Sequence, residues 1–460
     1  MSLEPRPFAL SGTERVHIVG AGGAGMSGLA KLLTGLGHTV TGSDLKPGLR
    51  LESLGDLGIE TWVGHEPGRM GEVDIVAASS AVPDRDPELR AAREAGVTVW
   101  SRPDLLDALT AQMPAIGFTG THGKTTTTAL AVTALRSIGF DPTFLVGGEL
   151  VDFNTGAHLG DPGTFLLEAD EAFGTFRRLH LRGLAVSNIE ADHLDYYGNV
   201  AALEEAFSLV ANRVTGPVVG CIDDPGVRRL AERATVVGFG TDPAAVWRIV
   251  DLRHGRGSVA FTLVGPDDQY EVHVPRPGEH IARNAAGCLA LLGEVGFDVA
   301  AAADGLSRFA GVRRRFEVRG RVRGVTIVDD YAHHPTEIDA TITAGRLGGW
   351  ERVIAVFQPH RYTRTADLAH EFGAPLAVAD HVIVTDIYPA DEAPLPGVSG
   401  KLVAEAVRAA GAEPAYVPAL SDVPGVVASL AREGDVVLLL GAGDITSLAD
   451  DVVAAVGGGS

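Results

Sequence analysis

The sequence predicts an α/β protein built from three successive domains. The main observation is a repeated pattern in which a short apolar strand is followed by a glycine-bearing turn and then by a helical stretch. This alternation is typical of mostly parallel sheets covered by helices. The length of 460 residues agrees, because about 150 residues per domain suggest about three domains. The pattern restarts twice, which predicts domains at residues 1–112, 113–319 and 320–460.

A glycine-rich turn marks the first domain. Gly20, Gly22 and Gly25 form G-x-G-x-x-G directly after the strand Val16–Val19, and Asp44 ends the next strand. Glycines at this spacing let the backbone approach a diphosphate at the N-terminus of a helix. The motif predicts a Rossmann-like domain for a dinucleotide or a nucleotide sugar, and a glycine turn without a ligand is the alternative. Further strands are predicted at Thr39–Thr41, Ile75–Ala78 and Val97–Trp100.

The strongest motif opens the central domain. The segment 120–125, Gly-Thr-His-Gly-Lys-Thr, lies between an apolar strand and a helix, where backbone N–H groups can wrap around phosphates. Lys124 can supply a cation to the phosphate oxygens, and the Thr125 hydroxyl can hold Mg²⁺. The usual pattern has glycine where this chain has Phe118, so the loop is a variant. Elements are predicted at Ile116–Thr119, Phe165–Leu167, Leu184–Ser187, Val218–Cys221 and Thr235–Phe239, with an antiparallel hairpin at Val259–Leu263 and Tyr270–Val274 and a helix at Ile281–Val295.

Acidic residues follow two strands of the central domain. The segment Glu168–Glu171 comes directly after one strand, and Ala191–His193 comes shortly after another. Because the ends of neighbouring parallel strands meet at one edge of a sheet, these groups are expected beside the phosphate loop, as ligands for a divalent cation. A packed or surface imidazole is the alternative for His193, and the other acids equally suit roles without direct contact to a metal.

The third domain carries a cluster of basic, histidine and tyrosine side chains. These also follow strands, where open α/β sheets bind ligands. A pair of arginines can hold a carboxylate, which suits an amino acid, and surface ion pairs or a packed tyrosine are the alternatives. The strands are predicted at Thr326–Val328, Val353–Phe357, Val382–Thr385 and Val436–Leu440, and the cluster comprises Asp329, Asp330, Tyr331, His333, His334, His360, Arg361 and Arg364.

Six motifs together resemble one family. GTHGKTTT at 120–127 is similar to the phosphate loop of the Mur ligases. The same family is resembled by GAGGAGMSG at 20–28, NIEADHLDYYG at 188–198, GVRRRFE at 311–317, DDYAHHPTE at 329–337 and FQPHRYTRT at 357–365. The resemblance extends from about residue 14 to about residue 450. It implies a Rossmann-like N-terminal domain, a central P-loop ATPase-like domain with a mostly parallel sheet, and a C-terminal Rossmann-like α/β domain.

Within the family, the resemblance is to the branch that adds alanine. It implies ATP-dependent ligation of L-alanine to the lactyl carboxylate of UDP-N-acetylmuramate, through an acyl phosphate, in peptidoglycan precursor synthesis. ATP and Mg²⁺ are implied with it. Because predicted sites lie in all three domains, closure of the domains on the substrates is expected. A monomer or a weak dimer is expected.

The resemblance also assigns roles to individual residues. For the UDP-sugar it implies Gly20, Gly22, Gly23, Gly25, Asp44, Ser79 and Ser80. For ATP it implies Gly120, Thr121, His122, Gly123, Lys124, Thr125, Thr126, Asn284, Arg315 or its neighbour Arg314, and Asp330 or its neighbour Asp329. It implies Thr125 as a ligand of one Mg²⁺ and Glu168 with His193 as ligands of a second metal ion, and for the amino acid it implies Tyr331, His334, Arg361 and Arg364. Lys124 is the predicted catalytic cation, with His193 or His334 as the candidate base.

The chain departs from the family pattern at three places. Ala172 and Phe173 stand where the family usually has Ser-Asp after EADE. Ile281 replaces an asparagine that could bond to the adenine base. Some relatives use a carbamoylated lysine near the position of Ala206–Ser208, where this chain has no lysine. The second metal is therefore expected to bind without a carbamate.

Charge and cysteine content exclude several classes of protein. Lys+Arg 38 against Asp+Glu 59 gives a net charge of −21, which argues against a nucleic-acid or anionic-membrane surface. Cys221 and Cys288 are expected to be buried thiols rather than a disulfide or zinc ligands. No apolar run reaches the ~18 residues of a membrane span, and the start of the sequence has no apolar signal segment. A cytoplasmic location is expected.

Two other classes of function compete with the ligase. An NAD-dependent oxidoreductase would explain the first glycine loop, but it leaves Lys124, Thr125 and the strand-end acids unexplained. A nucleotide-binding regulator without catalysis would explain the departures at Ala172, Phe173 and Ile281. Release of phosphate in the presence of the four expected ligase reactants distinguishes the three classes.

Overall fold

The fold is known from a computed structural model, which describes residues 10 and 12–458. The chain divides into two compact units. The first comprises the chain up to Arg248 together with Val264–Tyr270 and Asn284–Leu306, and the second comprises Ile249–Leu263, Glu271–Arg283 and the chain from Ser307.

The first domain is a parallel sheet with helices between its strands. The strand order β3-β2-β1-β4-β5, with every pairing parallel, confirms the predicted Rossmann-like arrangement. The order reverses between β1 and β4, which is where such sheets bind ligands. The strands are β1 (Arg15–Val19), β2 (Thr39–Asp44), β3 (Glu60–Val63), β4 (Ile75–Ala78) and β5 (Thr98–Ser101), and the helices are α1 (Ala24–Gly35), α2 (Leu49–Gly55), α3 (Pro87–Glu94) and α4 (Arg102–Gln112).

The central domain has the phosphate loop at the middle of its sheet. In this part of the chain the strands follow the order β13-β12-β11-β10-β6-β9-β7-β8, where β7 and β8 pair antiparallel and the other neighbours pair parallel. The elements are β6 (Ala115–Thr119), α5 (Lys124–Ser137), β7 (Pro142–Leu150), β8 (Thr155–His158), β9 (Asp161–Glu168), β10 (Leu181–Val186), α6 (Leu194–Tyr197), α7 (Val200–Ala211), β11 (Val218–Cys221), α8 (Pro225–Ala231), β12 (Val237–Gly240) and β13 (Trp247–Gly255).

The chain then adds two strands and two helices. The predicted hairpin is confirmed as two neighbouring strands, which follow β13 in the strand order. These elements are β14 (Ser258–Val264), β15 (Gln269–Val274), α9 (Glu279–Val295) and α10 (Val299–Gly305).

Phe118 explains how the variant phosphate loop is tolerated. It lies in β6, which pairs with β10 on one side and with β9 on the other, and its side chain is completely buried. A position inside a central strand needs an apolar side chain rather than the backbone freedom of glycine. The loop itself begins only at Gly120, after the strand has ended.

The third domain is a six-stranded sheet. Its order is β16-β17-β21-β18-β19-β20, with β16 antiparallel to β17 and the other pairings parallel. The elements are β16 (Glu317–Val322), β17 (Val325–Asp330), α11 (Pro335–Leu347), β18 (Val353–Phe357), α12 (Tyr362–Leu368), α13 (Gly373–Ala377), β19 (His381–Val384), α14 (Gly400–Ala409), β20 (Ala415–Tyr416), α15 (Val423–Leu430), β21 (Val436–Leu440) and α16 (Ala449–Gly458).

The position chosen for the second domain boundary, between residues 319 and 320, falls inside β16. This strand, with the sequence EVRGRV, is mostly half-buried or exposed and carries charges and a glycine in place of an apolar pattern. Its strand conformation therefore comes from pairing with β17 rather than from its own sequence. The first predicted boundary lies at the end of α4, which finishes at Gln112.

The first and central domains share one apolar core, which contains side chains from α1 and from β7. A Cβ on Gly28 of α1 would lie 2.6 Å from Leu145 Cδ1 of β7. Only glycine lets the helix approach the strand this closely. Cys221 and Cys288 are buried thiols, as expected. Within the described residues, no helix combines the length and apolarity that crossing a bilayer requires.

A buried carboxylate ties together three parts of the first domain. Glu88 of α3 is completely buried, and Ser43 Oγ of β2 donates to it at 2.5 Å. Trp62 Nε1 of β3 donates at 3.2 Å, and His17 Nε2 of β1 lies at 3.3 Å. Burial alone would raise the pKa of Glu88, but the hydrogen bonds from His17 and Ser43 hold the pKa below its ordinary value. The carboxylate therefore stays charged and links α3 to the sheet.

We expect Glu88→Ala to destabilise the first domain. It leaves the donors on Ser43 and Trp62 buried without an acceptor, and each such unsatisfied donor costs about 1–3 kcal/mol. Calorimetric melting should show a lower midpoint for the variant. Glu94→Ala, at the exposed end of the same helix, is the control and should melt like the parent. Equal midpoints for both variants would contradict the role given to Glu88.

Candidate functional site

The glycine loop of the first domain meets acidic and hydroxyl side chains at the carboxyl edge of the sheet. The Gly22 N–H donates to Asp44 Oδ2 at 2.9 Å. A Cβ on Gly20 would lie 3.0 Å from Ser79 Cβ, which follows β4. Gly23 is the N-cap of α1. The structure therefore brings these five predicted UDP-sugar residues together, with Gly25 inside α1 and the exposed Ser80 next to Ser79.

Arg102 is a candidate that the sequence reasoning missed. Its Nε atom lies 2.7 Å from the place where a Cβ on Gly25 would stand. That Nε is buried and has no hydrogen-bond partner among the described atoms. A guanidinium behind a glycine loop adds positive charge where a diphosphate would lie. The available signal was a cation directly after the strand β5, in the sequence Ser-Arg-Pro.

The phosphate loop is shaped by left-handed glycines and held by the end of β10. Gly120 has φ +128° and Gly123 has φ +88°, conformations that favour glycine. Ser187 Oγ donates to the His122 carbonyl at 2.5 Å, and the His122 N–H donates to Asn188 Oδ1 at 2.8 Å. These bonds fix the loop in front of α5. Ser187 and Asn188 are thus loop supports that the motif alone did not reveal.

Asn284 lies beside the phosphate loop. The side chain is buried in α9, and a Cβ on Gly123 would come 2.6 Å from its Oδ1. The sequence reasoning gave this residue a contact with the adenine edge, and that contact stays a prediction. Ile281, three residues earlier, is buried as an apolar side chain. Thr125 and Thr126 are buried in the first turn of α5.

Lys124 is the first residue of α5 and its ammonium group is surrounded by acceptors. Nζ donates to the Gly120 carbonyl at 2.8 Å and to the Glu171 carboxylate oxygens at 2.8 and 2.9 Å. Asp170 Oδ1 lies 3.8 Å away. Burial alone would lower the pKa of Lys124, but the charges of Glu171 and Asp170 raise it above its ordinary value. The lysine is therefore a cation at neutral pH.

Glu168 ends β9 beside the same loop. Its Oε1 accepts a hydrogen bond from the Gly147 N–H at 2.6 Å, and the Thr125 hydroxyl also bonds to the carboxylate. Burial raises the pKa of Glu168. A carboxylate and a hydroxyl in contact are oxygen donors of the kind that Mg²⁺ takes. The predicted metal ligands Thr125 and Glu168 are thus neighbours.

His193 stands at a strained position before α6. It has φ +53°, and its Nε2 lies 3.8 Å from Asp192 Oδ2. Among the described residues, Glu168 and His193 do not form a metal-sized cluster with a third histidine, cysteine or carboxylate. Any cation held there would need other oxygen donors to complete its shell. Its role as a ligand or base stays a prediction.

The departures Ala172 and Phe173 lie in a short 3₁₀ segment after Glu171. Phe173 has φ +53° and is 61% exposed. Its ring meets the ring of Tyr196 at 6.0 Å, edge to face. An aromatic contact between this segment and α6 therefore occupies the place of the polar pair that the family usually has.

Two of the three arginines of the GVRRRF segment, Arg314 and Arg315, lie over the ring of Tyr331 but differ in their other contacts. Arg314 donates to the carbonyls of Gly441 and Gly443 at 2.7 and 3.2 Å and lies near Asp329. The Arg315 guanidinium lies 5.1 Å from the centre of the Tyr331 ring. Arg314 therefore fastens the segment to the domain, which favours Arg315 as the arginine for a phosphate.

Asp329 and Asp330 are both buried at the end of β17. The Asp330 carboxylate accepts hydrogen bonds from the N–H groups of Phe316 and Ala332 at 2.7 and 2.8 Å. Burial raises the pKa of Asp330 to about 6. Asp329 bonds to Thr446, and burial raises its pKa also. The predicted contact of Asp330 with a ribose would be made by a carboxylate that already accepts hydrogen bonds from two backbone N–H groups.

A row of rings lies beside Arg364. The His333 ring is 5.2 Å from that of Tyr331 and 6.0 Å from that of His360, and His360 stacks on Tyr388 at 5.6 Å. Burial lowers the pKa of His333, and burial together with His333 lowers the pKa of His360 to about 4. Both imidazoles are therefore neutral at pH 7.

Arg364 belongs to this row, because its Nη1 lies 3.4 Å from His360 Nδ1. Arg361 precedes α12 with φ +69°, and its N–H donates to the Tyr388 carbonyl at 2.9 Å. Helix α12 begins only at Tyr362, so Arg364 lies in the helix and Arg361 stands just before it. The structure thus brings Tyr331, Arg361 and Arg364 to one region. His333 is the histidine of this segment that lies in the row of rings. His334, which was predicted for the amino-acid site, is the N-cap of α11.

A phosphate loop with a buried lysine and strand-end acids, flanked in sequence by two Rossmann-like domains, defines the class: an ATP-using α/β enzyme. Three family descriptions match this chain: the Mur ligase family catalytic domain at residues 15–113, the Mur ligase middle domain at 118–292 and the Mur ligase glutamate ligase domain at 314–443. The chain therefore belongs to the Mur ligase family, and it is an ATP-dependent ligase.

Individual relatives are similar over nearly the whole chain. The UDP-N-acetylmuramate–L-alanine ligase of Mycolicibacterium vanbaalenii is 43% identical and the match covers 96% of each chain. The ligase of the same name from Kineococcus radiotolerans is 43% identical, with 95% of each chain covered. The crystal structure of the UDP-N-acetylmuramate–alanine ligase MurC from Thermotoga maritima has a TM-score of 0.82 at 29% identity, and covers 96% of this chain and 98% of that one.

Gly123→Ala should weaken nucleotide binding. The new Cβ would press on Asn284 in a backbone conformation that alanine disfavours, and such strain costs about 1–3 kcal/mol, or about 5- to 150-fold in affinity. Gly139→Ala is a matched control, since Gly139 follows the other end of α5 with the same φ of +88° and has no atom within 4 Å of its Cβ position. Titration with ADP measures both. Equal affinities would show that crowding at Asn284 does not matter.

Proposed function

We propose that this ligase joins L-alanine to the lactyl carboxylate of UDP-N-acetylmuramate, with ATP converted to ADP and phosphate. The observation that carries the proposal is the buried cation Lys124 at the N-terminus of α5, beside Glu168 and Thr125. The names of the relatives that match this chain from end to end support the choice of substrates.

The proposed reaction has two steps. An oxygen of the lactyl carboxylate attacks the γ-phosphorus, the bond from that phosphorus to the bridging oxygen breaks, and ADP leaves with an acyl phosphate remaining. The neutral amine of alanine then attacks the acyl carbon, the bond to the phosphate oxygen breaks, and the amine loses a proton. Lys124 and the N–H groups of the loop would bind the charge that develops on the transferred phosphoryl group.

Mg²⁺ would be held by Thr125 and Glu168, and the donors suit it because both are oxygens and are already in contact. When bound there it would neutralise phosphate charge. His193 is the proposed additional ligand. The other roles belong to the protein: Ser187 and Asn188 would hold the loop in place, and Arg315 is the proposed further cation for the phosphates.

The amino acid would bind in the third domain. Arg361 and Arg364 would hold the α-carboxylate of alanine, and Tyr331 would limit the size of its side chain. The neutral His333 and His360 lie in the same row. His334 and His193 remain the candidates for the base. A cytoplasmic location, a monomeric or weakly dimeric state, and the absence of nucleic-acid and membrane partners stay predictions.

Phosphate release tests the function directly. The protein is incubated with ATP, Mg²⁺, UDP-N-acetylmuramate and L-alanine, and each reactant is left out in turn. The proposal expects release only with all of them, together with a product heavier by one alanine residue, and it expects none with Lys124→Met. Thermal stabilisation by NAD rather than by the UDP-sugar would favour an oxidoreductase. Nucleotide binding without phosphate release would favour a regulator.

The proposed metal ligands can be tested by titration with Mg²⁺. Glu168→Gln and His193→Ala should each raise the Mg²⁺ concentration for half-maximal activity by about 10-fold or more, because each removes one donor. Glu205→Gln, at a largely exposed glutamate of α7, is the control for the change in net charge. If a variant has the same Mg²⁺ dependence as the control, the residue substituted in it is not a metal ligand.

The proposed alanine site can be tested by substituting its arginines. A charge-assisted bond contributes about 1.5–3 kcal/mol, so Arg361→Ala and Arg364→Ala should raise the KM for alanine by about 10- to 150-fold. The KM values for ATP and the UDP-sugar should change little. Arg346→Ala, at a half-exposed arginine of α11 paired with Asp380, should leave all three unchanged. Loss of ATP affinity with a normal KM for alanine would assign the arginines to the nucleotide instead.

A further inference from the structure

The acceptors around Lys124 use all of its hydrogen-bonding capacity. An ammonium group has three N–H bonds. Nζ has acceptors at 2.8 Å on Gly120 and at 2.8 and 2.9 Å on the two oxygens of Glu171, with the Thr121 carbonyl further away at 3.4 Å. A phosphate oxygen that bonds to this ammonium must therefore take the place of one of these acceptors.

Glu171 is the acceptor that is held most firmly by residues outside the loop. Its side chain is only 2% exposed. The buried Tyr197 hydroxyl of α6 donates to the Glu171 carbonyl at 2.5 Å, and the Arg177 guanidinium lies 5.5 Å from the Tyr197 ring. Tyr197 of α6 thus holds the backbone segment that carries the Glu171 carboxylate next to Lys124.

We propose that Glu171 competes with nucleotide phosphate for the ammonium group of Lys124 and thereby limits the affinity of the protein for nucleotide. The inference rests on the proposed function in one respect, that Lys124 binds a phosphate. Asp170 differs from Glu171 because its oxygen, at 3.8 Å, is too distant to hydrogen-bond to Nζ and acts through its charge alone.

The competition has a physical cost for the nucleotide. A buried carboxylate that loses one of its hydrogen bonds to a cation is destabilised, and part of the phosphate's binding free energy offsets that loss. A neutral amide at the same place would be a weaker acceptor and would not repel the phosphate. The same carboxylate keeps the ammonium group directed at the loop. It therefore lowers the affinity for nucleotide and at the same time fixes the position of the cation.

Glu171→Gln is the direct test, with the dissociation constant of ADP measured by calorimetry in EDTA. The proposal expects ADP to bind about 3- to 10-fold more tightly, the difference between a charged and a neutral acceptor. Glu204→Gln is the matched control, because Glu204 is also a partly buried glutamate of this domain, paired with Arg229 at 2.7 Å. The control should bind ADP like the parent. Unchanged or weaker binding by Glu171→Gln overturns the proposal.

A double-substitution cycle separates competition from simple charge repulsion. In a Lys124→Met protein, Glu171→Gln should no longer tighten ADP binding, since the shared ammonium is gone. Tightening that persists undiminished there overturns the proposal. Glu171→Asp, whose shorter side chain reaches Lys124 less well, carries the same expectation of tighter binding if Glu171→Gln fails to fold.

The two proposals can fail separately. Binding of ADP needs neither the UDP-sugar nor alanine, so tighter ADP binding without alanine-dependent phosphate release would overturn the ligase proposal alone. Conversely, a protein that ligates alanine but whose Glu171→Gln variant binds ADP unchanged overturns the competition alone. Equal ADP affinity for Lys124→Met and the parent would also overturn it, because Lys124 would then not bind a phosphate.

Discussion

The need to neutralise a buried ammonium group governs the architecture around the phosphate loop. Lys124 is largely buried, and a cation in that environment is stable only with counter-charges in contact. Those charges come from Glu171 and Asp170, just beyond the end of β9. Because β9 is a direct neighbour of β6 in the sheet, the strand order places the acids beside the lysine. The sheet, the loop and the ion pair therefore depend on one another.

The same arrangement recurs in each domain, with an acid at the end of a strand accepting a hydrogen bond from a backbone N–H group. Asp44 at the end of β2 accepts a bond from Gly22 of the glycine loop. Glu168 at the end of β9 accepts one from Gly147, and Asp330 at the end of β17 accepts one from Phe316. Each carboxylate thereby satisfies a backbone N–H group. The acids that build the sites also hold their shape.

The departures from the family pattern have local structural counterparts. Phe118 fills the core where other phosphate loops have glycine, and Ile281 is buried in α9. Phe173 replaces a polar residue and meets Tyr196 of α6, next to the tyrosine that bonds to Glu171. Two of these apolar residues, Phe118 and Ile281, are buried, whereas Phe173 is largely exposed. The ligase class follows from the family, and the chemistry of alanine addition remains the proposal.

The sequence by itself determined the α/β class, the two glycine-rich loops and the residue types of the sites, because each depends on neighbours in the chain: a strand, a tight turn and a helix start. It did not determine β16, whose polar segment becomes a strand only by pairing with β17. It also could not show that Glu171 binds Lys124, that Arg102 lies behind Gly25, or that His333 rather than His334 lies in the row of rings. Those contacts join residues by packing between elements, and only the tertiary structure decides which side chain then faces which.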